Sequence, residues 1–232
     1  MSSLSDPARP LAHESMSQGV YRHLRERLIA GQFSPGERLT LDAVARALGT
    51  SHMPVREAIR RLAAERALEI LPNRTVRVPQ MSRARFQEMV AARTLLEGSA
   101  VAQAARRMDA AALAEARRLS NAFGAEIRRR KPDIAELIRM NQALHFTIYA
   151  ACGNRVLLEL IEALWLQVGP VINLDLRSGS RRIAEAPSAT HHERLVTALE
   201  RRDARAARRA LDDDLASAAE VILAGDGLAA DA

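Results

Sequence analysis

Little in this sequence could staple a fold together. Cys152 is the only cysteine among 232 residues, which excludes an internal disulfide and a cysteine-based zinc site and fits a reducing compartment. Aromatic residues make up 3%, and Gly and Pro number 11 and 9, too few ring and turn residues for a sandwich or barrel of many short strands. No stretch approaches the roughly 20 apolar residues of a membrane span. The first residues, MSSLSDPARPLAHESMSQGV, lack the charged start and apolar run of a secretory signal. A cytoplasmic protein with no membrane partner is expected. Lysine is almost missing: Lys131 is the only one, so the positive charge is arginine.

Alanine fills roughly a fifth of the chain, and alanine is the strongest helix former. With 48% hydrophobic and 27% charged residues, the expectation is a mainly α globular chain of one large domain or two modest ones. Net charge is +6 and the pI about 10.7. Enrichment in Arg and Ala also accompanies GC-rich genomes, so the total does not by itself identify a polyanionic partner. Position discriminates better. Residues 1–80 hold 12 arginines against 8 acids, whereas residues 81–232 hold 22 basic against 20 acidic residues. The denser excess in the first third points that part toward an anion.

Residues 1–15 carry Pro7 and Pro10 and no period, and read as a mobile arm. Val20, Leu24 and Leu28 then recur at helical spacing until Gly31, and Ser34-Pro35-Gly36 makes a turn. Thr40 caps a second helix with the stripe Leu41, Val44, Ala45 and Leu48, closed by Gly49. Ser51 is placed to cap a third, with Pro54 in its first turn and Val55, Ile59 and Leu62 as its stripe. Leu68–Leu71 and Thr75–Val78 flank the turn Pro72-Asn73-Arg74 as a two-strand ribbon. Two helices joined by about four residues, the second bearing Arg56, Arg60 and Arg61, form a helix-turn-helix, and the ribbon makes it winged.

From about Ser82 the pattern is helical almost throughout. Helices are expected over about 82–108, 109–130, 133–151, 155–174, 188–201 and 203–225, with Asp109, Asp133 and Asp203 as caps. Short connections make an antiparallel six-helix bundle. The domains expected are an arm (1–15), a winged helix-turn-helix (16–80), an all-helical domain (81–225) joined through Pro79–Arg85, and a frayed tail (226–232). In the bundle, Asn141 and His145 are one turn apart on the third helix, His191 and His192 lie in the fifth, and Asp212, Asp213 and Asp214 in the sixth. Asn141, His145, His192 and Asp214 could converge from three helices on a divalent metal, Zn, Ni, Mn or Fe(II). Taken alone, a His on a helix is more often a satisfied core or surface histidine, and Asp-Asp-Asp in a late helix is usually a solvated face.

The segment FSPGERLTLDAVARALGTSHMPVREAIRRLAAERALEILPNRTVRVP resembles the DNA-binding domain of the GntR family of bacterial transcription regulators. The likeness covers about residues 17–80. It implies that the third helix enters the major groove and that Arg56 contacts bases or adjacent backbone, a role its fork suits because it can donate bidentately to guanine. Ser51, His52, Met53 and Arg60 share that surface, and Arg74 on the wing reaches the minor groove or phosphates. His52 and Met53 replace the family's usual Arg and Thr, and Arg66 and Thr75 stand where glycines are usual, which puts the operator sequence in question.

Residues of about 84–223 resemble the ligand-sensing FCD domain of FadR-type members of that family, through MVAARTLLEGSAVAQAA, NQALHFTIYAACGNRVL and HERLVTALERRDARAARRAL. Many such domains hold a divalent metal through one Asp or Asn and three His. Carried over by position, these are Asn141, His145, His192 and Asp214, the last an Asp where the family has His. Swapping amide for carboxylate and carboxylate for imidazole leaves the ligand charge unchanged and favours Mn or Mg over Zn or Ni. The alternative is a metal-free polar pocket that binds the effector directly. Arg93 is either the i,i+4 salt-bridge partner of Glu97 or a clamp for an organic-acid effector.

The reading that follows is a homodimeric regulator, a repressor, that binds palindromic operator DNA under control of a small-molecule effector, and not an enzyme. A metal-dependent hydrolase or lyase built on His145, His192 and Asp214 is the alternative, and a basic helical protein binding nucleic acid without sequence preference is a third.

Overall fold

The computed structural model describes residues 15–72, 75–177 and 187–230. The wing-tip Arg74, most of the expected N-terminal arm and nearly all of the 177–187 connection lie outside the described residues. Ser15, expected in the arm, instead caps the first helix by accepting from the Gln18 N–H.

The chain is mainly α, a winged helix-turn-helix followed by a six-helix bundle. The first unit comprises α1 (Met16–Ile29), β1 (Arg38–Leu39), α2 (Leu41–Ala47), α3 (His52–Ala64), β2 (Glu69–Ile70) and β3 (Val76–Arg77). Thr40 caps α2 through the Ala43 N–H. Ser51 sits at the N-cap of α3 with an extended backbone but makes no side-chain capping bond. Pro54 occupies the third helical position, whose N–H Ser15, Thr40 and Ser82 accept in their own helices, and has none to give. The wing has three strands rather than two, in the antiparallel order β1-β3-β2, with Val76 between Leu39 and Ile70. Two residues cannot display a period of two, so Arg38–Leu39 left no strand signal. Arg66 keeps the left-handed backbone (φ 59) of the glycine it replaces, at the turn into β2. Tyr21, Leu24 and Leu28 of α1 pack with Val55, Ile59 and Leu62 of α3 in the core.

The second unit consists of α4 (Arg83–Arg107), α5 (Ala110–Ile127), α6 (Ile134–Ala150), α7 (Arg155–Arg177), α8 (Pro187–Glu200) and α9 (Ala204–Ala224). Ser82, Asp109, Asp133 and Asp203 each cap the following helix through a backbone N–H. α4 packs on α9 and α7, α9 on α8, and α5 on α6 and α8. Two expectations are corrected. Residues 226–230 do not fray: Ala229 N–H donates to Met81 O at 2.9 Å, and Ser82 pairs with Ala229 as a parallel bridge. Arg83 also donates to the carbonyls of Leu223 and Gly225, so the linker and the end of α9 hold each other. The other concerns apolar runs. Within α7, Arg155–Asn173 is long enough and apolar enough (mean hydropathy 1.4) to cross a membrane, yet 56% of it is buried inside the fold, as the central helix of a bundle must be.

Candidate functional site

The outer face of α3 and a polar cluster inside the bundle hold the candidate residues. On α3, Val55, Ile59 and Leu62 turn inward, which leaves Ser51, His52, Met53, Arg56 and Arg60 exposed, Met53 by 70%. His52 Nε2 lies 2.7 Å from Asp42 Oδ1, tying the start of α3 to α2. A groove of about 380 Å3 runs between α3 and the wing, bordered by Arg56, Arg60, Leu41 and Ile70. Arg61 does not belong to this surface. Its guanidinium stacks 3.6 Å over Tyr21 and bonds Gln18 and Glu65, locking α1 to α3. Asp42 and Ile70 carry no sequence signal for this face; only the crossing of α2 and the wing with α3 places them there.

The bundle brings three of the four expected ligands together. His145 from α6, His192 from α8 and Asp214 from α9 are all buried, with ligand atoms within 4.8 Å of one another. Asp214 Oδ2 lies 3.5 Å from His145 Nε2 and 3.8 Å from His192 Nε2. Asn141 stands one turn before His145 and is half-buried. The Phe123 ring meets His192 edge-on at 4.7 Å and closes that side with apolar surface.

A hydrogen-bond chain fixes His145. Its Nδ1 is 2.9 Å from the Tyr149 hydroxyl, and that hydroxyl donates to Glu97 Oε2 at 2.5 Å. Burial first, and the Glu97 carboxylate second, push the Tyr149 phenol well above its ordinary range. The phenol therefore keeps its proton and gives it to Glu97, so its oxygen must accept from His145 Nδ1–H. The other ring nitrogen of His145, Nε2, faces Asp214. Glu97 also accepts from Arg93 Nε at 2.6 Å, Arg93 Nη2 at 3.3 Å and the Trp165 indole at 3.1 Å. Burial pulls the Arg93 guanidinium down, but Glu97 outweighs it, so Arg93 is held above its ordinary range and stays charged. Of the two readings of Arg93, the salt bridge with Glu97 is the arrangement present. Sequence reasoning missed Tyr149 and Trp165; the spacing of Tyr149 one turn after His145 was the available signal.

The donor set fits a divalent ion. Two ligand atoms each about 2.0–2.1 Å from one tetrahedral ion lie about 3.4 Å apart, close to the 3.5 and 3.8 Å observed. A second-sphere partner on the far ring nitrogen, as Tyr149 is to His145, is what metal-binding histidines use.

Comparison with known proteins agrees with this architecture. Residues 16–78 match the model of the bacterial regulatory proteins of the gntR family, and residues 88–217 match that of the FCD domain. The chain belongs to the GntR family of bacterial transcription regulators, with an FCD domain following its helix-turn-helix. It is 32% identical over 160 residues to the HTH-type transcriptional regulator McbR of Escherichia coli K12, covering 69% of this chain and 72% of McbR. It is 30% identical over 149 residues to the HTH-type transcriptional repressor GlaR of the same organism, covering 62% and 67%. The solved structure of E. coli McbR/YncC superposes with a TM-score of 0.83 at 28% identity, over 90% of this chain and 98% of that one.

Proposed function

We propose that this chain is a homodimeric, cytoplasmic repressor whose grip on a palindromic operator is set by a small organic acid bound in the bundle. Residues 16–80 form the DNA-binding unit and residues 81–225 the effector-binding and dimerising unit. The convergence of His145, His192 and Asp214 inside the bundle, on a scaffold that presents Arg56 and Arg60 to solvent, carries the reading. Arg56 and Arg60 read base edges, while Ser51, His52, Met53 and Arg74 contact bases or position the backbone. The hydroxyl of Ser51, not used for capping, is available to a phosphate.

His145, His192 and Asp214, with Asn141 beside them, hold a divalent cation; Mn suits the oxygen-rich set better than Zn or Ni. When bound, that cation supplies a positive charge and open positions for an effector carboxylate. Arg93 lies beside the cluster and holds Glu97 in place. Dimerisation falls on the bundle, where Leu95 of α4 and Val156 and Leu160 of α7 are large apolar side chains left exposed at 65%, 66% and 49%. Two-fold pairing follows from the small surface one recognition helix buries.

The test is binding to operator duplexes selected from a random library, with and without Mn2+ and a panel of small carboxylates. Competitor-resistant binding that a carboxylate shifts is the expected result. Binding that any DNA erases equally overturns sequence-specific regulation, and a tag-free protein that takes up no metal overturns the cation.

A further inference from the structure

α7 is in contact with both the buried cluster and the DNA-binding unit, and it makes both contacts along one stripe. Trp165, Gly169 and Asn173 recur at i, i+4 and i+8. At the first position the Trp165 indole, 2% exposed, donates to Glu97 Oε1 at 3.1 Å. Glu97 is joined through Tyr149 to His145, so three consecutive buried hydrogen bonds run from the cluster to α7. One turn on, Gly169 lets backbone meet backbone. A Cβ there would lie 2.7 Å from the carbonyl oxygens of Leu28 and Ile29 and 2.8 Å from Ile29 Cα. A further turn on, the buried Asn173 donates from Nδ2 to Ile29 O at 2.9 Å, at the end of α1. Gly31, at φ +58, closes over the same contact: a Cβ on it would lie 2.4 Å from Asn173 Cβ.

The two ends differ in rigidity. α1 is locked into the DNA-binding core by Leu24 and Leu28, so moving its end moves α3 with it. α7 carries Pro170 within the output contact, between Gly169 and Asn173; the proline cannot donate to the Leu166 carbonyl and weakens the helix there. A contact with no room for a methyl group is held in one fit or lost, not gradually loosened.

We infer that α7 transmits occupancy of the His145/His192/Asp214 cluster to the DNA-binding unit, with the Trp165–Glu97 hydrogen bond as its input and the seating of Gly169 and Asn173 on Leu28–Ile29 as its output. This rests on the proposed cation site and adds how its state reaches the operator. Coupling of this kind requires an element whose equilibrium both sites bias, and α7 is packed against both.

The test uses the full-length protein, Mn2+ alone as the probe, an operator selected from random duplexes, and two variants, Trp165→Phe and Asn173→Ala. Mn2+ affinity is measured by calorimetry and operator affinity by anisotropy with and without Mn2+. Wild type is expected to show at least a ~5-fold change in operator affinity on adding Mn2+. Asn173→Ala should bind Mn2+ as wild type does while its operator response falls below ~2-fold, and Trp165→Phe should lose the response likewise. A full wild-type response in Asn173→Ala overturns the relay and leaves the cation site standing. A wild type that binds Mn2+ but never changes its operator affinity overturns the relay and leaves the control by an organic acid to its own test. Asn173→Ala, being far from the cluster, decides the matter if Trp165→Phe does not fold.

Discussion

His145 Nε2 and Asp214 Oδ2 face each other at 3.5 Å inside the bundle, on helices α6 and α9, with the other ring nitrogen of His145 against the Tyr149 hydroxyl. The fold thus brings an imidazole nitrogen and a carboxylate to one buried point, beside a second imidazole from His192.

Asp214→Ala should abolish stoichiometric Mn2+ uptake by tag-free protein, as measured by elemental analysis. Asp214→His should restore uptake and move preference from Mn toward Zn, since imidazole suits the softer ion. An Asp214→Ala protein that still takes up one Mn2+ per chain would refute the ligand set.

Tyr149→Phe should weaken Mn2+ binding by about 10–100-fold, the usual effect of removing a second-sphere partner. The two histidine tautomers have distinct nitrogen chemical shifts, so NMR should show His145 losing its Nδ1–H preference in the variant. Unchanged shifts together with unchanged affinity would remove Tyr149 from this role.

The phenol also gives a pH signature. Its pKa in the folded state lies well above the ordinary 10.0, by burial and then by Glu97. Stability from the protonated phenol is therefore complete below about pH 10 and declines as pH rises through the folded value, by about 1.4 kcal/mol per pH unit. The stability advantage of wild type over Tyr149→Phe in urea unfolding should shrink between pH 9 and pH 11. An advantage that is constant across that range would show the phenol to be unperturbed.

Arg93→Ala should destabilise the bundle by about 3–5 kcal/mol, because it leaves the Glu97 carboxylate buried without its ion partner. Arg93→Met with Glu97→Gln should recover much of that stability, and neither should retain the effector response. Full response in the folded double variant would exclude Arg93 from the effector site.

On the DNA face, Arg56→Ala should weaken operator binding by about 1–3 kcal/mol and relax base preference at one position of each half-site. Arg61→Ala should instead lower the melting temperature and leave base preference unchanged, because Arg61 bonds Gln18 and Glu65 within the domain. Equal effects of both on base preference would contradict this division of the α3 arginines.

Much of the fold could be read from residue spacing, because helix periodicity and capping are local. Val55, Ile59 and Leu62 mark the buried side of α3, and Asp109, Asp133 and Asp203 start their helices where a short acceptor side chain suits. The same local rules overreached at Ser51, where the proline three residues on removed the capping partner. They missed β1, whose two residues become a strand only by pairing with Val76 and Arg77. They also misjudged residues 226–230, whose order comes from Met81 across the molecule.

The sequence by itself determined the elements, the division into a basic winged unit and a nearly neutral bundle, and the family to which the chain belongs, since each depends on residue type and short-range spacing. Tertiary structure alone decided that Arg61 is tied to Tyr21, Gln18 and Glu65 while Arg56 and Arg60 border the groove beside the wing, that Arg93 is paired with Glu97, and that Tyr149 and Trp165 meet on that same carboxylate. It alone decided, too, that α7 seats against the end of α1 with no space for a methyl group. Those outcomes depend on how helices far apart in the chain cross, and burial then forces each polar group brought inside to find its partner.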